Sequence, residues 1–146
     1  MFTRKSALVG ALALGTLATA AFAAAMDPDV RARQEAMGLV GSNLKRIASM
    51  VKGDVDFDAA AAQAAFAKIA EKAEMVPALF ETKSNSDPEA EAKDAIWENW
   101  DDFTAKAGAL QMAAEAGMGV DSPEALAAAM GPLSETCKAC HSTYKE

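Results

Sequence analysis

Apolar residues recur at spacings of three and four in four separate stretches of the chain. The first carries Met37, Val40, Leu44, Ile47 and Val51. The second carries Ala62, Phe66, Ile69, Ala73, Val76 and Phe80. The third carries Ile96, Trp100, Phe103, Ala107, Leu110 and Ala114, and the fourth Leu126, Met130, Leu133, Cys137, Cys140 and Tyr144. Such spacing keeps one apolar stripe on one side of a helix. Asp27-Pro28, Asp87-Pro88 and Ser122-Pro123 each place a capping oxygen ahead of a proline suited to the first helical position. Asp58 is the expected start of the second helix, with Phe57 as a hydrophobic staple. Polar connections are expected at 52–57, 81–87 and 117–121. Short connections favour antiparallel neighbours, so residues 26–146 read as one all-α domain, an up-down-up-down four-helix bundle. Pro77 and Pro132 interrupt two of the patterns; Pro77 is expected to end or kink the second helix and Pro132 to kink the fourth.

The first 25 residues follow a different pattern. Arg4 and Lys5 precede an uncharged Ala- and Leu-rich run, and small residues bracket Ala21-Phe22-Ala23 and Ala23-Ala24-Ala25. This is the layout of a secretory signal peptide, with cleavage expected near residues 23–25. The alternative, an uncleaved membrane anchor, requires 6–26 to span a bilayer, and that run is barely long enough and weakly hydrophobic. Export places the mature chain in the periplasm, free of the membrane, where cysteines can oxidise.

Composition narrows the function. Of 146 residues, 36 are alanine, and the net charge is −7. Removal of Arg4 and Lys5 leaves 12 basic against 21 acidic residues, a charge of −9. An acidic chain of this kind lacks the basic face that nucleic-acid binding needs. Two cysteines and one histidine exclude a multi-disulfide scaffold and a zinc site made of His and Cys alone.

Those three residues fall together as Cys137-Lys138-Ala139-Cys140-His141. C-x-x-C-H is the attachment pattern of haem c. Helix positions i, i+3 and i+4 share a face. Two thiols can therefore add to the two vinyl groups of one haem while the imidazole reaches the iron from the same side. A thioredoxin-like dithiol needs a βαβ context, and no strand pattern is present. A Cys137–Cys140 disulfide would close a very small loop and gain little. A zinc site would need added carboxylates. One covalent haem per chain is the reading these residues favour, with Cys137 and Cys140 as thioethers and His141 as axial iron ligand.

At this point the sequence resembles a known family, cytochrome c′, the class II c-type cytochromes. The likeness spans the whole mature chain. Arg33-Gln34-Glu35-Ala36-Met37 resembles the family's first-helix segment, and Lys52-Gly53 with Phe57-Asp58 resembles the turn into its second helix. Ile96-Trp97-Glu98-Asn99-Trp100 resembles the third-helix segment, and Cys137 to Tyr144 the attachment segment. Lys145 stands where the family usually carries Arg. The resemblance implies a bundle with haem near the C-terminus and Met37 facing the haem. It implies a homodimer through the first two helices, whose outer faces here carry Gly38, Gly41, Ala60, Ala61, Ala64 and Ala65. It also favours Arg33 as partner of a haem propionate, a pairing that suits guanidinium, over a solvated surface arginine. Gln34 is expected to border the same edge.

No second histidine exists, so the sixth iron ligand is Met, Lys, a small exogenous molecule or nothing. Met37 combines the right level along the bundle with the right face. Packed against haem without bonding iron, it leaves a dry five-coordinate site that admits nitric oxide or carbon monoxide and excludes water and anions. In five-coordinate members of the family a Met here packs flat; in a few low-spin members it binds. The expectation is therefore a non-enzymatic, high-spin, gas-binding haem protein that also passes single electrons to an unidentified periplasmic partner. The alternative is a low-spin electron carrier with Met37 on the iron. Trp97 and Trp100 are expected to pack and not to relay electrons.

Overall fold

The computed structural model describes residues 25–146, and the predicted signal segment, apart from Ala25, lies outside them. Five helices follow in order: α1 (Pro28–Lys52), α2 (Ala59–Phe80), α3 (Ala95–Glu98), α4 (Trp100–Gly117) and α5 (Pro123–Tyr144). α1 packs on α2 and α5, and α4 packs on the same two, which closes the ring of an antiparallel four-helix bundle. α3 is the detached first turn of the third rod. No described helix is long and apolar enough to cross a membrane.

Three of the four expected caps form. Asp27 accepts from the amides of Asp29 and Val30, Asp58 from Ala61, and Ser122 from Ala125. Gly53 ends α1 with φ of 74°, a left-handed conformation that costs glycine nothing. Phe57 packs against the core as expected of a staple.

The third rod departs from the sequence expectation. Asp87-Pro88 starts no helix; α3 begins at Ala95, so the connection from α2 runs 81–94. The reason is tertiary. One Asp87 oxygen accepts from the amides of Met26 (2.7 Å) and Asp27 (2.9 Å), and the other from Glu89 (2.8 Å). The carboxylate is held by the chain entering α1. The rod then breaks at Asn99, with φ −129° and ψ 49°. Its side chain bonds back to the Ala95 carbonyl, the local competition with helix that asparagine offers. Neither Pro77 nor Pro132 ends its helix: α2 continues to Phe80 and α5 to Tyr144.

The core divides into two clusters. Ile47, Phe66, Ile69, Leu126 and Leu133 fill the end where α1 finishes and α5 begins. Val76, Phe80, Ile96, Phe103, Ala107 and Tyr144 form a second cluster at the opposite end. In α1 the buried stripe closes on Met50, while the predicted Val51 is exposed. Of the small residues expected on an outer face, Ala65 is buried inside the bundle.

Candidate haem site

The second cluster does not fill its end of the bundle. Between α1, α2, α4, α5 and the 89–92 stretch lies a cavity of about 340 Å³. That falls within the roughly 300–1,000 Å³ range of cofactor sites. Its walls are mainly apolar: Val30, Met37, Val40, Leu44, Val76, Phe80, Ile96, Phe103 and Leu110 among them. Cys137, Cys140 and His141 all line it from α5. The helical spacing has done what the sequence required, placing two thiols and one imidazole on one face over one cavity.

Both thiols are free and half-buried, and burial raises their pKa above the ordinary value. His141 sits exposed at the rim. Its pKa is lowered, first by desolvation and then by nearby Lys145, with Glu91 opposing. Both leading causes favour the neutral imidazole, the form that a metal needs. Lys145 pairs with Glu91 at 2.7 Å, and Lys93 and Glu146 donate backbone hydrogen bonds to Tyr144 and Glu91. The end of α5 is zipped to the 91–93 stretch beside the histidine.

Aromatic rings back the cavity. Phe103 contacts Phe80 at 5.1 Å between centroids, Trp100 at 5.7 Å and Tyr144 at 5.4 Å, the last edge-on. The Tyr144 hydroxyl donates to Asp102, which also pairs with Lys106. The Trp97 indole donates to the Phe80 carbonyl at 2.7 Å, so it is anchored as packing.

Met37 and Gln34 line the cavity from α1, as the sequence placed them. Gln34 donates to the Glu89 carbonyl, tying α1 to the loop. Arg33 also lines the cavity, but its environment differs from a solvated propionate partner. It is 4% exposed. Its guanidinium donates to the carbonyls of Leu79 (2.8 Å), Thr82 (2.6 Å) and Ser84. It also lies over the rings of Phe80 and Trp97, at 4.6 and 5.6 Å. Three of its five N–H groups thus hold the end of α2 and the following loop, where carbonyls of a helix C-terminus favour a cation. No pattern of residue types announces this task, because its partners are backbone oxygens 46 or more positions away.

The residues present therefore fit haem c: two thiols for its vinyl groups, one neutral imidazole for its iron, and an apolar slot for its plane. Known proteins agree with this chemistry. The family model described as Cytochrome C' matches residues 29–145. A cytochrome c-556 of Agrobacterium fabrum is 35% identical, over 99% of this chain and 98% of its own. A cytochrome c' of Rhodopseudomonas palustris is 34% identical, over 99% of this chain and 97% of its own. A solved structure of cytochrome c' from Rhodopseudomonas palustris superposes with a TM-score of 0.78 at 30% identity, covering 82% of this chain and 97% of that one. Fold, cavity, attachment motif and relatives converge: the chain belongs to the cytochrome c′ family of c-type haem proteins.

Proposed function

We propose that this is an exported haem protein whose iron is five-coordinate and high-spin, binds nitric oxide and carbon monoxide, and exchanges single electrons with a periplasmic partner. The observation that carries the reading is the cavity: one imidazole at its rim, Met37 and a mainly aliphatic and aromatic lining, with Arg33, Gln34, Glu89, Glu91, Lys106, Thr136 and Lys145 as its polar members. Cys137 and Cys140 would be the covalent anchors of haem and His141 would ligate its iron. When bound, haem supplies an iron able to take one diatomic ligand and to change charge by one. Met37 then has two possible tasks. As a packing group it keeps water and anions from the open face and leaves room for a small uncharged gas. Its thioether is also a competent iron ligand, which keeps the electron-carrier alternative chemically accessible.

The propionate role of Arg33 is narrowed by its three carbonyl bonds. Its two remaining N–H groups, with Gln34, are the donors we assign to that edge. A homodimer through α1 and α2 is proposed with exposed Gly38, Ala60 and Ala64 on the outer faces of these helices.

Spectroscopy of wild type and Met37→Ala tests the reading. A high-spin ferric wild type whose ferrous form takes up carbon monoxide without losing a protein ligand is expected. Met37→Ala should bind carbon monoxide faster. A sulfur-to-iron charge-transfer band in wild type that vanishes in Met37→Ala would establish the low-spin carrier instead.

A further inference from the structure

The chain enters α1 through an unusually charged contact. Met26 and Asp27 point their backbone nitrogens at one oxygen of Asp87, at 2.7 and 2.9 Å. Asp27 in turn caps α1 and accepts from the Ser84 hydroxyl. Two carboxylates therefore meet where α1 touches the 81–94 segment; hydrogen bonds hold both below the ordinary carboxylate range, Asp87 first by the Asp27 amide and Asp27 first by the Ser84 hydroxyl, while the charge of Asp27 opposes ionisation of Asp87. Arg33 acts on Asp27 through its charge, but its guanidinium is bonded to carbonyls of 79–84. Among the described residues the pair has hydrogen-bond donors but no ion-pair partner.

Cleavage after Ala25 would supply one. Ala23-Ala24-Ala25 places small residues where a signal peptidase needs them, and the next nitrogen is that of Met26. We propose that Met26 is the first residue of the exported chain and that its α-ammonium group docks on the Asp87 carboxylate, locking the 81–94 segment against α1. A backbone amide there donates one neutral hydrogen bond. An ammonium donates with a full charge, and charge-assisted bonds are roughly twice as strong. Cleavage two residues earlier would keep a neutral amide at Met26. It would also keep Ala25, which is 3% exposed, so the two starts trade the burial of that residue against one ion pair. The lock bears on the haem site because Glu89, Ala90, Glu91 and Ala92 of the same segment form a wall of the cavity. Removal of the signal would complete that wall as well as release the protein.

This inference rests on the export reading, and the experiment separates the two. The intact mass of holoprotein recovered from the periplasm should equal residues 26–146 plus one haem. Asp87→Asn keeps an acceptor but removes its charge. It should shift the unfolding equilibrium of the Met26-start holoprotein about five-fold or more beyond its effect on an Ala24-start holoprotein. If the variant fails to assemble, the wild-type amine decides by its own titration, followed by NMR. Asp87 accepts from it directly and Asp27 is the next residue, with Asp29 and Arg33 in the first turns of α1 and Glu89 on the facing segment, and the carboxylates should raise its pKa above the ordinary value of about 7.7–8.0. Processing at another bond overturns the inference and leaves export intact. So does an equal Asp87→Asn effect in both starts, or an unshifted amine. Holoprotein that retains residues 1–25 overturns both.

Discussion

The two ends of the bundle solve the same problem by different means. At the end where α1 finishes, the core is filled by side chains: Ile47, Phe66, Ile69, Leu126 and Leu133 are each less than 2% exposed. The loops there are short and need little support beyond Gly53 and one bond from Gln63 to the Val120 carbonyl. At the haem end the core is open. Met37, Trp97, Trp100 and Cys140 are only partly buried, around a cavity of about 340 Å³. Polar clasps stand in for packing there. Arg33, Asp27, Asp87, Gln34, Trp97 and Lys145 each tie the 79–94 stretch to a neighbouring helix or to its own start. Where the chain leaves room for a cofactor, it fixes the walls by hydrogen bonds, which are directional and do not need the space filled.

The largest break in that comparison comes from removing the anchors. Cys137→Ala with Cys140→Ala should abolish covalent haem completely, read as loss of colour retained after acid-acetone extraction. The chain should then lose on the order of 3 kcal/mol or more of stability, because a tightly held cofactor binds only the folded state. Hydrogen exchange should locate the loss. Amides of early α1 and late α5 should lose protection first, while those around Phe66 and Leu126 persist. Uniform loss along the chain would show that the two ends form one cooperative unit.

A smaller and opposite break is available at the filled end. A methyl group built on Gly117 falls inside the ring of Phe66, which is fully buried. Overpacking of this kind costs about 1–3 kcal/mol. Gly117→Ala should lower the unfolding free energy from urea titration by that amount and leave the visible spectrum and carbon monoxide binding unchanged. A shifted spectrum would mean that strain travels the length of the bundle. At Gly38 and Gly41 nothing stands within reach of an added methyl, so Ala there should cause no clash.

How far the sequence foretold this structure also differs between the ends. The filled end was legible because its rule is local: period 3.6 places Phe66, Ile69, Leu126 and Leu133 inside without knowledge of partners. The attachment residues were legible for the same reason, since Cys137, Cys140 and His141 share a helix face by spacing alone. The loop was not. Asp87-Pro88 carries a helix-start signal, and one Asp87 oxygen does accept from the Glu89 amide as a cap would, but nothing local shows that the other is taken by the chain entering α1. Arg33 shows the same limit. Its residue type suggests an anionic partner, yet the structure gives it carbonyls of Leu79, Thr82 and Ser84. Interactions spanning 50 residues and ending on backbone oxygens leave no pattern in side-chain type. Val51 and Met50, adjacent in sequence, exchange places by one step of helical phase, the ordinary error of a stripe read near a helix end.

The smallest effect should come from one hydroxyl at the haem end. Tyr144 donates to Asp102, and this raises the phenol pKa to about 12 from an ordinary value near 10. The same bond is the leading cause that lowers the Asp102 pKa, with Lys106 second. The two groups fix opposite signs. For a phenol raised on folding, the stabilisation is complete below pH 10 and is lost as pH rises toward 12. For a carboxyl lowered on folding, it is present above the ordinary value of 3.8 and is lost as pH falls through the folded one. Tyr144→Phe keeps the edge-on ring contact with Phe103 and removes only the hydroxyl. The thermal midpoint at neutral pH should therefore drop by only about 2–4 °C. The gap between wild type and variant should stay constant from pH 5 to 9 and close on both flanks, toward pH 12 and toward pH 3. A constant gap across the whole range would assign the loss to packing and remove the hydrogen bond from the set of clasps. Closure on both flanks would show that even the last turn of α5, three residues beyond His141, is held by a polar contact where the far end uses apolar side chains.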